Sequence, residues 1–158
     1  MQKAHKAILS LATVAALAIS PLAVSHFNDQ EPMQSYRQSA FTLMAMNFGP
    51  MNAMLEGEME WDQEKFERWA EGLDDVAELD ILRGFAPGTE KGTTRAKPEI
   101  WDNMDDFKSK LADLREAAEI LDDAAESGDR EEIAEAFAAT GGACKACHDE
   151  YKSKDYLY

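Results

Sequence analysis

Four stretches of the chain carry apolar side chains at the spacing of an amphipathic helix. The first stripe covers residues 37–55, and its members are separated alternately by four and three residues: Arg37, Phe41, Met44, Phe48, Met51 and Leu55. This alternation is the a/d pattern of a bundle helix. Pro50 falls within the stripe, and because proline removes a backbone donor we expect a kink near residues 47–48.

The second stripe consists of Phe66, Trp69, Leu73 and Val76. Asp62 precedes it as a predicted N-cap, and the helix is predicted to end near residues 83–84. Residues 85–98 are rich in glycine and proline and predict a long surface connection. Long connections in compact domains are often functional, so this segment is a candidate part of a site.

The third stripe has the most regular heptad spacing: Met104, Phe107, Leu111, Leu114, Ala118 and Leu121. Asp102 or Asn103 is its predicted N-cap, and the pair Ser127-Gly128 is predicted to end the helix. The sequence therefore predicts a long bundle helix that stops at a glycine.

The fourth stripe contains Ile133, Phe137, Thr140, Cys144, Cys147 and Tyr151. Asp129 and Glu132 form a predicted capping box at its start. The pair Gly141-Gly142 weakens this helix but need not end it. Four helices with mostly short links predict an all-α protein, an antiparallel four-helix bundle.

The first 25 residues are predicted to be an export signal. A basic start leads into an uncharged apolar run over residues 7–20, and a small-x-small cleavage site follows at residues 23–25. The apolar run is shorter than the roughly 20 residues that a membrane-spanning helix needs. We therefore predict a signal peptide over residues 1–25, a bundle domain over residues 26–158, and a periplasmic product that is not membrane-bound after cleavage.

The charge of the chain excludes some classes of partner. Asp and Glu total 31 against 16 Lys and Arg, a formal charge of −15, and signal removal would take away two more lysines. Nucleic-acid binding requires a basic face for phosphates, so this class is disfavoured, as is docking on anionic lipid. The 45% of hydrophobic residues is nevertheless enough for a packed core.

The only two cysteines of the chain lie together in the segment Cys144-Lys145-Ala146-Cys147-His148. This spacing places both thiols on nearly the same helix face, with a histidine directly after them, which is the attachment motif of a c-type haem. The thiols add across the two vinyl groups of one porphyrin edge, and the histidine supplies an axial nitrogen to the iron. We predict one covalent haem c on Cys144 and Cys147, with His148 as iron ligand.

Three other interpretations of this motif are weaker. A disulfide between consecutive helical turns would close almost no loop. A thioredoxin-type redox pair needs a strand–turn–helix setting, which this helical sequence lacks. Zinc needs four ligands, whereas the chain has two cysteines and three histidines, one of them in the predicted signal.

A helical bundle with the haem motif on its last helix resembles the cytochrome c′ family, the class II c-type cytochromes. Residues 36–44 resemble the start of that family's first helix, and residues 85–90 and 98–101 resemble its connection between second and third helices. Residues 144–151 match the attachment helix. The resemblance implies a protein that binds NO, and CO more weakly, buffers or detoxifies NO with possible electron transfer, and forms a homodimer.

The resemblance also implies roles for particular side chains. His148 would be the single protein ligand of a five-coordinate iron, and Phe41 would close the opposite face as an apolar lid. Five further residues would contact the haem: Arg37 and Gln38 at the propionates, Lys97 and Glu99 at its edge, and Lys152 on the proximal side. For Arg37 an ion-paired surface position is the alternative, and for Lys152 a solvated lysine.

A second hypothesis is a six-coordinate, low-spin electron carrier with Met44 as axial ligand. His26 would lie at the new N-terminus and is a poor ligand for that reason. No polar acid–base pair is evident on the distal side, so an enzyme is not favoured. No motif identifies a redox partner, and Met54, Met59 and Trp61 are candidate apolar residues of a dimer interface.

Overall fold

The computed structural model describes residues 31–157, and within this range it is all-α. The α-helices are α1 (Pro32–Leu55), α2 (Gln63–Ala77), α3 (Glu99–Asp102), α4 (Met104–Ser127) and α5 (Arg130–Tyr151), with a 3-10 helix at Ile81–Phe85. The predicted signal peptide and His26 lie outside the described residues. None of the helices between residues 31 and 157 is both long and apolar enough to cross a bilayer.

The four long helices form the antiparallel bundle that the sequence predicts. Tyr36, near the start of α1, donates to the Asp80 carbonyl just beyond the end of α2 at 3.0 Å. Gln63, at the start of α2, donates to the Ala125 carbonyl near the end of α4 at 2.7 Å. Three pairs of helices pack closely against each other: α1 with α2, α2 with α4, and α4 with α5. The fourth side of the bundle lies between α1 and α5.

Helix α1 runs without interruption through Pro50, from Pro32 at its first turn to Leu55. Its inner face buries Ala40, Met44, Met51 and Met54. Met54 is only 3% exposed, so its predicted place in a dimer interface is wrong. A side chain at Gly72 of α2 would begin 3.2 Å from the Asn47 amide, and the glycine therefore lets α1 and α2 approach closely.

Helix α2 ends at Ala77, six residues before the predicted end, because the chain tightens into the 3-10 helix. Arg115 of α4 donates through Nε to the Ala77 carbonyl and through Nη2 to the Leu79 carbonyl, both at 2.9 Å. These bonds satisfy carbonyls that the end of α2 leaves without helical partners. Ile81 and Phe85 of the 3-10 helix are buried and dock it on the core.

The predicted turn between α4 and α5 is confirmed at residues 127–129. Only one of the two hydrogen-bonding directions of the predicted capping box forms. Gly128 adopts the left-handed conformation at φ 71°, which glycine tolerates without strain. The Asp129 carboxylate accepts from the backbone nitrogens of Glu131 and Glu132 at 2.8 and 3.2 Å. Glu132 does not return a bond to the Asp129 nitrogen, because the Ser127 hydroxyl occupies that nitrogen at 3.1 Å and itself donates to Glu132.

Candidate haem-attachment site

The cysteine–histidine motif lies on the last two turns of α5. The helix continues through Gly141-Gly142, so Cys144 and Cys147 keep helical spacing. Both thiols are half-buried against the hydrophobic core, and they are not joined to each other. His148 is exposed, one residue further along the helix. The motif therefore presents two core-side thiols and an outward imidazole at one end of the bundle.

The electrostatics of the motif suit haem attachment better than thiol redox chemistry. Burial raises the pKa of the Cys147 thiol to about 11 and also raises that of Cys144. A redox pair instead has a lowered cysteine pKa. Partial desolvation lowers the pKa of His148, and the charges of Lys152 and Arg95 lower it further. The neutral imidazole, which is the form that ligates metal, is therefore favoured at neutral pH.

Aromatic side chains line the side of the bundle between α1 and α5. Phe48 of α1 stacks on Phe137 of α5, with ring centroids 4.1 Å apart, and bridges the two helices. Phe41, two turns before Phe48, is half-buried and meets Phe85 edge to face at 6.5 Å. Phe41 and the two cysteines are thus partly exposed apolar groups at the edge of the core. A planar apolar ligand attached to both thiols would find apolar contacts at this edge.

Arg37, one turn before Phe41, is a buried residue at 2% exposure and not a solvated surface residue. Its Nη1 donates to the Gly84 carbonyl at 2.9 Å, and its Nη2 donates to the Thr94 hydroxyl at 2.8 Å and the Thr89 carbonyl at 3.1 Å. Nη1 also reaches the Thr89 hydroxyl at 3.3 Å. Burial lowers the pKa of this guanidinium. The terminal nitrogens hold the connection between α2 and α3, and Nε is the nitrogen without such a bond in the described residues.

The other predicted haem contacts fall into two groups. Gln38 donates to the Thr93 carbonyl and so faces the same connection as Arg37. Lys97 donates to the carbonyls of Asp149 and Glu150 at 3.3 and 2.8 Å, and Lys152 forms an isolated β-bridge with Ala96. Lys97 and Lys152 therefore lie beside His148, in the wall of one cavity. Glu99 begins the short helix α3 and is exposed.

Sequence reasoning missed Arg95 and Thr94, which connect the two groups. The Arg95 carbonyl accepts from the Ser153 nitrogen at 2.7 Å, and Arg95 Nε returns a bond to the Ser153 carbonyl at 2.8 Å. Thr94 is 1% exposed and accepts from Arg37. Neither residue belongs to a periodic stripe. The only available signal was the high density of Thr, Gly and basic residues in the long connection.

The fold and the motif together define a c-type haem protein built on a four-helix bundle. The family model described as Cytochrome C' matches residues 33–152. The cytochrome c′ of Rubrivivax gelatinosus is 43% identical over 122 residues, which cover 75% of this chain and 92% of that protein. The chain belongs to the cytochrome c′ family. It is a monohaem c-type cytochrome, and its cofactor is one covalent haem c.

Solved structures agree with this assignment. The cytochrome c′ of Shewanella frigidimarina superposes with a TM-score of 0.76 at 40% identity and covers 81% of this chain and 99% of that chain. A variant of the Alcaligenes xylosoxidans cytochrome c′, solved as a nitric oxide complex, gives 0.73 at 38% identity, covering 82% and 99%. A third, described as having ligand-controlled dimer dissociation, gives 0.74 at 32% identity, covering 78% and 96%.

Proposed function

We propose that this cytochrome binds nitric oxide at a haem held by Cys144, Cys147 and His148, with Phe41 covering the iron face opposite His148. One observation carries the proposal. Two half-buried thiols on α5 and the half-buried Phe41 ring on α1 lie at the margin of the core, and the histidine follows the thiols directly. This arrangement supplies two attachment points, one axial ligand and one apolar cover.

The side chains around the site favour NO over oxygen. When bound, the haem supplies an iron atom that takes diatomic gases as ligands. Phe41 carries no hydrogen-bond donor, and the terminal nitrogens of Arg37, one turn away, are engaged by the Gly84, Thr89 and Thr94 oxygens. Bound oxygen therefore gains no donor from Phe41 or from the terminal nitrogens of Arg37, whereas NO needs none. The nitric oxide complex of the Alcaligenes xylosoxidans relative supports the same ligand class.

Met44 is the residue on which the alternative function depends. It is 7% exposed and lies on the inner face of α1, three residues beyond Phe41. As an axial ligand it would give a six-coordinate electron carrier; as a core residue it only packs. Optical and EPR spectra of the ferric and ferrous protein decide between them. We expect high-spin spectra, and a low-spin spectrum with a sulfur ligand would replace the gas-binding proposal with electron transfer.

Covalent attachment through the two thiols is tested separately. Acid–acetone extraction should leave the colour on the protein, because thioether bonds survive where an axial ligand bond does not. Replacing both cysteines with serine should release the haem into the solvent while the bundle remains helical. Extraction of haem from the unaltered protein would contradict the attachment.

We further propose that the protein acts in the periplasm as a binding protein rather than an enzyme, after cleavage of residues 1–25. N-terminal sequencing of the exported protein should begin at His26. A homodimer fits the exposed stripe on α1, where Leu43 is 51% and Met46 67% exposed. Such a binding protein would buffer or detoxify NO.

A further inference from the structure

A cavity of about 490 Å³ beside His148 is lined by positive charge. Four cationic side chains form its wall together with the histidine and one acid: Arg95, Lys97, Lys152, Lys154, His148 and Asp149. The chain as a whole has about twice as many acids as bases, at a formal charge of −15. The local sign of the surface here is therefore opposite to that of the molecule.

The fold holds these cations in place through backbone pairing. The segment after α5 runs beside the end of the long connection, where the Lys97 nitrogen donates to the Tyr151 carbonyl at 3.0 Å. The Ser153 nitrogen donates to the Arg95 carbonyl at 2.7 Å, and Arg95 Nε returns a bond to the Ser153 carbonyl. Two separate segments of the sequence thus contribute two cations each to one wall.

None of the four cations is neutralised by a carboxylate in the described part of the chain. The ion pairs found between residues 31 and 157 are Lys65–Asp62, Arg68–Glu64, Lys108–Asp105, Lys110–Asp106 and Lys145–Asp149. The last of them engages Asp149, the one acid of the cavity wall, with a lysine outside it. The cavity therefore keeps a surplus of positive charge.

We propose that this cavity is the docking face for an electron-transfer protein with an acidic surface. The inference rests on the proposed role of His148, because a partner seated here would contact the wall that contains the iron ligand. A partner attracted by local charge can associate quickly despite overall repulsion, since clefts lined by one sign focus the field. One electron then passes between the partner and the haem iron. The donor of the electron is oxidised by one equivalent, the acceptor is reduced by one equivalent, and no bond forms or breaks.

The test uses the haem-loaded protein and two small oxidants of opposite charge. Hexacyanoferrate(III) and tris(phenanthroline)cobalt(III) each take one electron from the ferrous protein, and stopped flow gives their rate constants over a series of salt concentrations. We expect the rate with hexacyanoferrate(III) to fall as salt rises, although both reactants are negative overall. A rate that rises with salt would mean that the net charge governs the approach, and the proposal would be overturned.

A matched pair of variants locates the effect. Lys154→Glu reverses one charge in the cavity wall, and Lys65→Glu makes the same change near the start of α2. The α5 N-terminus lies at that far end, where Arg130 covers the Trp61 ring at 3.4 Å. His148 follows Arg130 by 18 residues of α5, which corresponds to about 27 Å along the helix. We expect Lys154→Glu to slow the hexacyanoferrate(III) reaction by about threefold to tenfold and Lys65→Glu to change it little. Equal effects would refute a local docking face.

A competition experiment separates an acidic protein surface from a small-anion site. A polyglutamate peptide should slow the hexacyanoferrate(III) reaction at a concentration of charge where inorganic phosphate does not, because a peptide can meet several cations at once. Equal inhibition by phosphate would indicate a small-anion site and overturn the docking proposal. The haem spectrum is recorded on every sample, so loss of haem or of His148 ligation, which would defeat the proposed function, is recognised independently.

Discussion

At the scale of single residues, Arg37 is the side chain whose burial has the clearest energetic consequence. Arg37→Ala leaves the Gly84 and Thr89 carbonyls and the Thr94 hydroxyl without their charged donor. We expect the free energy of unfolding to fall by about 2–3 kcal/mol, measured by urea denaturation. The control is Arg68→Ala, which removes only an exposed ion pair with Glu64 and should cost less than about 1 kcal/mol.

The predicted bond from Arg37 to a haem propionate is distinguished from this loop-holding role by the reduction potential. Thr94→Val weakens the loop contact but keeps the guanidinium. If Arg37 also meets a propionate, Arg37→Ala shifts the potential while Thr94→Val does not. Equal shifts in the two variants would assign Arg37 to the loop alone.

Phe41 determines how easily a gas reaches the iron face opposite His148. A ligand must displace the half-buried ring, which costs packing contacts but breaks no hydrogen bond. We expect Phe41→Ala to speed CO binding and raise CO affinity by about tenfold or more, as measured by flash photolysis, since one displaced ring contributes on the order of 1–2 kcal/mol of contacts.

The matched control for the lid is Phe48→Ala on the same helix. Phe48 is also half-buried, but its ring stacks on Phe137 of α5, so its loss should reduce stability and leave CO kinetics nearly unchanged. The contrary result is specific. If Phe41→Ala has no effect on CO while Met44→Ala converts a low-spin spectrum to high-spin, methionine ligates the iron and the protein is an electron carrier.

The sequence anticipated the motif residues but not their surroundings, and the reason is physical. Cys144, Cys147 and His148 depend only on helical spacing, which is local. The contacts of Arg37 with Gly84 and Thr94 join residues about fifty positions apart through an irregular connection, and no periodic pattern encodes such a path. The sequence therefore predicted the place of Arg37 on the helix stripe, but it did not predict its hydrogen-bond partners.

At the scale of helices, α2 and α4 face each other with an acidic seam. Asp74 Oδ1 is buried and has no hydrogen-bond partner among the described residues. Burial, followed by repulsion from Asp74, Glu126 and Glu71, raises the pKa of Asp122 to about 6. Burial, followed by repulsion from Glu78 and Glu119, also raises the pKa of Asp74. The seam therefore favours protonated carboxyls in the folded state.

The sign of the resulting pH dependence follows from this raised pKa. The folded state binds the Asp122 proton more tightly than the unfolded state, whose pKa stays near the ordinary 3.8. The contribution of this group to stability is thus full below about pH 4 and is lost as the pH rises to about 6. Asp122→Asn should raise the free energy of unfolding above pH 6, by no more than about 1 kcal/mol because solvent screens the group.

Asp113→Asn is the control for this prediction, because Asp113 is an exposed acid of the same helix outside the seam. It removes the same formal charge and should change stability equally little at pH 4 and pH 7. Thermal unfolding at both values, on the haem-loaded protein, measures the difference. A stabilisation by Asp122→Asn that is as large at pH 4 as at pH 7 would contradict a titrating seam.

The helices themselves were largely predictable, and their errors have local causes. The four stripes predicted α1, α2, α4 and α5, and Gly128 ended α4 where expected. The end of α2 was missed because apolar residues continue after Ala77, into the 3-10 helix, so the stripe itself does not mark the boundary. Met54 was predicted to be exposed, but it lies three residues after Met51 on the inner face of α1, and the core buries both side chains.

At the scale of the whole molecule, charge and apolar surface are segregated. The cations of the cavity lie at the His148 end, while the acids dominate the remaining surface of a chain of formal charge −15. Leu43 and Met46, with Ser39 and Pro50 at the same heptad spacing, form an uncharged stripe on the outside of α1. Two copies can meet on this stripe without opposing carboxylates directly.

A dimer on the α1 stripe must form against the repulsion of two acidic chains. Apolar burial drives such an association, and salt screens the repulsion, so we expect the dimer to tighten as salt increases. Met46→Glu should weaken it at least about tenfold, measured by sedimentation equilibrium, because it buries a charge and adds like charge across the interface. Ile120→Glu is the control, since Ile120 on α4 is as exposed as Leu43, at 51%, but lies off the stripe. Dissociation of the dimer by Ile120→Glu would place the interface on α4 instead of the α1 stripe. A dimer that weakens as salt increases would be held by opposite charges, because salt weakens an association only when it screens an attraction.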